Sequence, residues 1–83
     1  PSLRTPCLLV VSGESISVES ALKREIRAFS RSSKVRSRNV NKKGVEWIFE
    51  MQTKKETELI QAISDLEGIN SVHLMTHDGD MRF

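Results

Sequence analysis

The chain has 83 residues, of which 37% are hydrophobic and 29% charged, and its formal net charge is +2. That size supports one hydrophobic core and so one domain. Its longest apolar run, Cys7-Leu8-Leu9-Val10-Val11, falls far short of the roughly 20 residues that a membrane-spanning helix needs. A single cysteine, Cys7, excludes an internal disulfide and a cysteine-based metal cluster, and a lone thiol suits a reducing compartment. No stretch has the order of a secretory signal. A start at Pro1, without an initiator methionine, is expected of a piece cut from a longer protein.

The small net charge is the difference between segregated parts. Nine basic residues, Lys23, Arg24, Arg27, Arg31, Lys34, Arg36, Arg38, Lys42 and Lys43, lie between positions 23 and 43, where Glu25 is the one acid, so this stretch carries +8. Residues 1–22 carry −1 and residues 44–83 carry −5. Such a split predicts one basic surface and one acidic surface.

In chain order, residues 1–6, with Pro1 and Pro6, read as a lead-in to a single domain over residues 7–83. Cys7 to Val11 is short, continuously apolar and rich in β-branched residues, as a buried central strand is. Ser12-Gly13-Glu14-Ser15 breaks it, and the Ser17 hydroxyl is placed to cap a following helix. Val18, Leu22, Ile26 and Phe29 recur at helical spacing and predict a helix running to about Ser32, with Lys23, Arg24, Arg27 and Arg31 on its other face. Lys34 to Val40 alternates weakly, and Asn41-Lys42-Lys43-Gly44 is a turn in which Gly44 can take a positive φ.

From Val45 to Met51 the alternation is clear: Val45, Trp47, Phe49 and Met51 share one face of a strand. A bulged turn would set Arg36 across from Glu50 and Arg38 near Glu46 and Ile48 on the solvent face. An even-length turn would set the arginines beside Trp47 and Phe49. Thr53 to Glu67 predicts the second helix, striped by Leu59, Ile60, Ile63 and Leu66, with a Thr53–Glu56 capping box and Gly68 as its stop. Ile69 to Thr76 is the last main strand, with Val72 and Leu74 facing in, and His77-Asp78-Gly79-Asp80 a turn from which Met81-Arg82-Phe83 pairs back.

The order βαββαβ predicts an α+β, ferredoxin-like sandwich: a four-stranded antiparallel sheet in the order 4-1-3-2, with two helices on one face. The most apolar strands, the first and third, then fall in the centre, and the basic second and polar fourth strands at the edges, where charge discourages stray pairing. A fold of this kind does not fix a function. One cysteine cannot make a two-thiol metal loop, and no glycine-rich loop with an arginine follows the first strand. Lys43-Gly44-Val45-Glu46-Trp47-Ile48-Phe49 has the K-G start of an RNA-binding strand. Yet Val45, Glu46 and Glu50 stand where aromatic or small residues belong, so Trp47 and Phe49 read as core. His73 and His77 would lie about 13 Å apart on a straight strand, too far to share one ion, and Asp78-Gly79-Asp80 lacks the spacing of a calcium loop.

The element order, the Cys7–Val11 strand and Leu66-Glu67-Gly68-Ile69-Asn70-Ser71-Val72 resemble an ACT-like domain, in which L-x-G-[IV]-x-x-V leads from a helix into the last strand. In ligand-sensing members a D-x-x-G-type loop follows the first strand. Here Ser12, Gly13, Glu14 and Ser15 keep the glycine without the leading acid. The chain is also similar to the ACT-like cytoplasmic tails of bacterial membrane proteins, including the MgtC/SapB family, which end in S-x-D-G or H-D-G. The corresponding residues are Thr76-His77-Asp78-Gly79. The resemblance implies a piece cut from a longer membrane protein, and the +8 stretch, with no catalytic set beside it, points to a cytoplasmic, non-enzymatic regulatory or assembly domain without cofactor or metal. It would pair as a homodimer, with Lys23 to Lys43 toward an anionic membrane surface or an acidic partner. The alternatives are a nucleic-acid-binding module on the same basic surface and a small-ligand sensor built on the Gly13 loop.

Overall fold

The computed structural model describes residues 6–76. Strand β1 (Cys7–Gly13) leads through a 3₁₀ turn at Ile16–Val18 into helix α1 (Glu19–Phe29). Strands β2 (Ser32–Asn41) and β3 (Gly44–Gln52) form a hairpin, and helix α2 (Glu56–Ser64) leads to β4 (Ile69–Met75). The four strands are antiparallel and lie in the order β2-β3-β1-β4. This is the expected ferredoxin-like α+β arrangement, with the two apolar strands central. Residues 77–83, and with them the His77–Asp80 turn, the H-D-G ending and Met81 to Phe83, lie outside the described residues.

Period-two alternation sorts the central strands into two faces. Cys7, Leu9 and Val11 of β1 and Val45, Trp47, Phe49 and Met51 of β3 are buried against Leu22 and Ile26 of α1 and Leu59 and Ile63 of α2. Trp47, Leu9, Leu22, Leu59 and Ile63 have no exposed surface. Each such aliphatic side chain contributes about 1.5–3 kcal/mol by leaving water. Val72 and Leu74 of β4, like Val18 before α1 and Phe29 at its end, pack against this core from its margin. Val35 alone represents β2 among the side chains packed there, which makes β2 an edge in packing as well as in pairing.

Several boundaries differ from the sequence reading. Ser15, not Ser17, caps the entrance to the helical segment, accepting a hydrogen bond from the Ser17 N–H at 3.3 Å. Helix α1 stops at Phe29, where the Ser30 hydroxyl donates to the Ile26 carbonyl at 2.6 Å and the chain turns extended. Helix α2 starts at Glu56, and no Thr53–Glu56 capping box forms. Thr53 is engaged elsewhere: its hydroxyl donates to the Phe29 carbonyl and accepts from the Lys55 N–H, tying the entrance of α2 to the end of α1. Gly68 has a positive φ, +91°, but serves the turn after α2 and not the helix end itself, which lies at Asp65.

The hairpin register corrects a sharper expectation. Asn41 pairs with Gly44, so the loop is the even-length Lys42-Lys43, and the Asn41 side chain accepts the Lys43 N–H at 2.8 Å. The bulge lies inside β2, at Arg36, between Val35 and Ser37. Arg38 is therefore opposite Trp47, on the helix side, while Ser37 faces Ile48 and Asn39 faces Glu46. The extra residue swings Arg36 to the other face, where its Nη1 bonds Glu50 Oε1 at 2.9 Å.

Gly44 fixes the hairpin end. Its φ is +134°, and a Cβ there would stand 2.2 Å from the Gly13 carbonyl oxygen. Gly44→Ala is expected to destabilise the protein by about 1–3 kcal/mol. The exposed neighbour substitution Lys43→Ala should stay within about 0.5 kcal/mol. Urea denaturation of both variants checks this, and equal midpoints would contradict it.

Candidate functional site

The most connected polar group is the carboxylate of Glu19, the first residue of α1. Its Oε1 accepts from Arg38 Nε at 2.7 Å and from the Trp47 indole N–H at 2.8 Å. Its Oε2 accepts from Arg38 Nη2 at 2.6 Å, and Lys23 Nζ stands 3.1 Å away one helical turn on. The Arg38 contact is a two-pronged fork, the geometry in which guanidinium and carboxylate match best. Trp47 is wholly buried, and its indole N–H needs an acceptor there. Glu19 supplies it from the rim of the core, with its side chain 15% exposed.

This surrounding holds the Glu19 carboxyl down to about 2 from an ordinary 4.5. The Arg38 hydrogen bonds are the leading cause, and burial opposes them. Glu19 in turn raises Arg38.

The nine residues of the basic stretch divide into two sets. Lys23 and Arg38 are bound to Glu19, and Arg36 to Glu50. Arg24 and Arg27 on α1, Arg31 at the joint, Lys34 on β2, and Lys42 and Lys43 at the hairpin tip are exposed and have no acidic partner among the described residues. Arg31 belongs to the link between α1 and β2, and not to the helix; its backbone N–H donates to the Gln52 carbonyl at 2.9 Å. The unpaired cations of this stretch thus lie on α1, at the α1–β2 joint, and on the edge strand β2 and its hairpin tip.

A groove separates α1 from β2 on this edge, with a volume of about 280 Å³. Ile26, Val35 and Phe49 give it apolar lining, and Lys23, Arg27 and Lys34 bring basic residues to it.

The Ser12–Ser15 loop is closely engaged with the rest of the fold. The Ser12 and Ser71 hydroxyls share a 2.6 Å hydrogen bond between β1 and β4, and the Glu14 N–H donates to the Gly68 carbonyl at 2.8 Å. Ser15 is joined to Ser17 at 2.6 Å between hydroxyls. Gly13 is buried: a Cβ on it would stand 2.9 Å from the Gly68 oxygen and 3.1 Å from the Trp47 ring. Its lack of a side chain lets the α2–β4 turn and the indole close over the end of β1.

Cys7 is packed in the core. Burial, and secondarily the negative Glu56, raise its thiol, which donates weakly to the Met51 carbonyl. His73 lies exposed on the open sheet face opposite Val10, while His77, Asp78 and Asp80 lie outside the described residues. Among the described residues, no three His, Cys, Asp or Glu side chains are grouped to hold a metal ion, and no helix is long and apolar enough to cross a membrane. Trp47 and Phe49 are 0% and 2% exposed, so neither offers a ring for base stacking. On the sheet face away from the helices, Leu8, Val10, Ile48 and Met75 form an uncovered apolar strip, flanked by the Arg36–Glu50 pair. No family model matches the chain, and no curated protein or solved structure matches it.

Glu19 was not among the residues singled out from sequence. Its spacing from Lys23 marks a helix ion pair, but the links to Arg38 and Trp47 are tertiary. The available signal was the buried tryptophan itself, whose N–H demands a partner.

The folded state prefers the ionised Glu19, so its contribution is complete above pH 4.5 and is lost as the pH falls toward 2. Glu19→Gln is expected to lower the urea midpoint at pH 7 and to flatten the stability profile between pH 4.5 and pH 2. Trp47 fluorescence reads both. A variant with the parent's profile across that window would contradict the assignment.

Proposed function

We propose that this protein is a non-enzymatic docking and assembly domain. Its α1–β2 edge lies against an anionic lipid surface, and it pairs with a second copy of itself. The observation that carries the lipid reading is the set of six exposed cations, Arg24, Arg27, Arg31, Lys34, Lys42 and Lys43, without acidic partners among the described residues. A basic side chain near an anionic leaflet contributes about 1 kcal/mol, and the attraction fades within a Debye length. The resemblance to cytoplasmic tails of bacterial membrane proteins supports the inner leaflet as that surface, with this chain as a soluble part of a longer membrane protein.

Nucleic acid is the weaker reading of the same charge, because burial of Trp47 and Phe49 removes the rings on which bases would stack. Pairing with a copy is favoured by the uncovered strip of Leu8, Val10, Ile48 and Met75, since an apolar sheet face is ordinarily covered. The Gly13 loop is less favoured as a ligand site, because its backbone and hydroxyls are already bonded within the chain.

Co-sedimentation with neutral and with phosphatidylserine-containing vesicles tests the lipid reading. Binding is expected to the anionic vesicles alone, to fade with added salt, and to weaken further in Arg24→Glu/Arg27→Glu. Equal binding to neutral vesicles would overturn it. For the assembly, light scattering is expected to give a dimer that Ile48→Glu converts to a monomer; a parent chain that stays monomeric at high concentration would refute it.

A further inference from the structure

The α1–β2 groove combines two features that a diffuse basic surface lacks. The first is an apolar floor at the boundary of the core. Ile26 and Phe49, only 1% and 2% exposed, and the half-buried Val35 line it, because β2 stands at the edge of the sheet and contributes only Val35 to the apolar core. The second is a pair of cations one helical turn apart on α1, Lys23 and Arg27, along the same groove. Lys23 shares the single negative charge of Glu19 with Arg38, so that cluster keeps one net positive charge. Arg27 has no acidic partner among the described residues. The Ser33 residue of β2 lines the opposite wall.

We propose that this groove is a discrete, one-to-one site for an amphiphilic phosphate. Arg27 and Lys23 hold the phosphate head, and the first methylenes of its alkyl chain lie on Ile26, Val35 and Phe49. A guanidinium beside an ammonium suits a phosphate monoester, which takes a forked bond from the one and a point charge from the other. The volume, about 280 Å³, is near the lower end of ligand pockets, so the site accepts a head and a short length of chain and leaves the rest outside. The proposal rests on the anionic-lipid reading and narrows it from general charge attraction to recognition of a single lipid molecule.

Titration of the ¹⁵N-labelled protein with hexyl phosphate, kept monomeric, tests this, with inorganic phosphate and hexanol as references. Hexyl phosphate is expected to saturate one site, with shifts concentrated at Lys23, Ile26, Arg27, Ser33 and Val35. Its affinity should exceed that of inorganic phosphate by about tenfold, the gain from burying two methylenes. Arg27→Gln, at an exposed position, should weaken hexyl phosphate by about fivefold or more. Val35→Ser should bring it to the level of inorganic phosphate while leaving sedimentation with anionic vesicles in place. Equal affinity for the two phosphates, or shifts centred on Lys42 and Lys43, would overturn the proposal. Vesicle binding without a hexyl phosphate site would overturn the groove and leave the surface reading standing. A filled groove without vesicle binding would support the site and reject the membrane surface.

Discussion

One carboxylate ties the layers together. Glu19 stands at the start of α1, Arg38 on the edge strand β2, and Trp47 in the middle of β3. Four donor contacts converge on its two oxygens from these elements and from Lys23. Without that acceptor, the largest side chain of the core would bury an indole N–H unpaired, at a cost of about 1–3 kcal/mol. The same carboxylate draws Arg38 over the helix-facing side of β2, opposite Trp47. The hairpin register, the position of α1 over the sheet and the orientation of the indole are therefore coupled through one group.

The layout was legible in the sequence where burial alone determines it. Alternation at Val45, Trp47, Phe49 and Met51, the run Cys7 to Val11 and the helical stripes of Leu22–Ile26 and Leu59–Ile63 each point to one face. Right-handed crossovers in a βαββαβ chain bring those faces together in one core. Less legible was everything decided by a polar group with more than one partner in reach. Thr53 and Glu56 have the spacing of a capping box, but the Thr53 hydroxyl is taken by the Phe29 carbonyl, which is distant in sequence. Arg38 and Glu46 are matched in charge across a hairpin, yet the even-length Lys42-Lys43 loop sets Arg38 opposite Trp47, where Glu19 holds it, and the bulge at Arg36 moves only Arg36 to the other face. The basic stretch was visible as charge; which of its members are neutralised depends on these tertiary partners.

That division shapes the surface left for binding. Glu19 takes up Arg38 and part of Lys23, and Glu50 takes up Arg36. The remaining cations of the Lys23–Lys43 stretch lie on α1, its joint to β2, β2 itself and the hairpin tip. Between α1 and β2, the limited packing of β2 leaves Val35 beside Ile26 and Phe49 in a groove. Charge and apolar surface therefore meet where the core is thinnest, a pairing suited to an amphiphilic anion. At the hairpin end of the β1–β3 pair, Gly13, Gly44 and Gly68 let backbone, the Trp47 ring and Val18 approach closely.

The Trp47 indole N–H resonance reports directly on its acceptor, so its acid titration is the closest test of the Glu19 junction. If the carboxylate is held by Arg38, Trp47 and Lys23, the resonance of the folded protein stays constant through pH 4.5 and moves only as the pH approaches 2. A midpoint near 4.5, the ordinary value for a glutamate free in water, would show that Glu19 does not hold the three elements together.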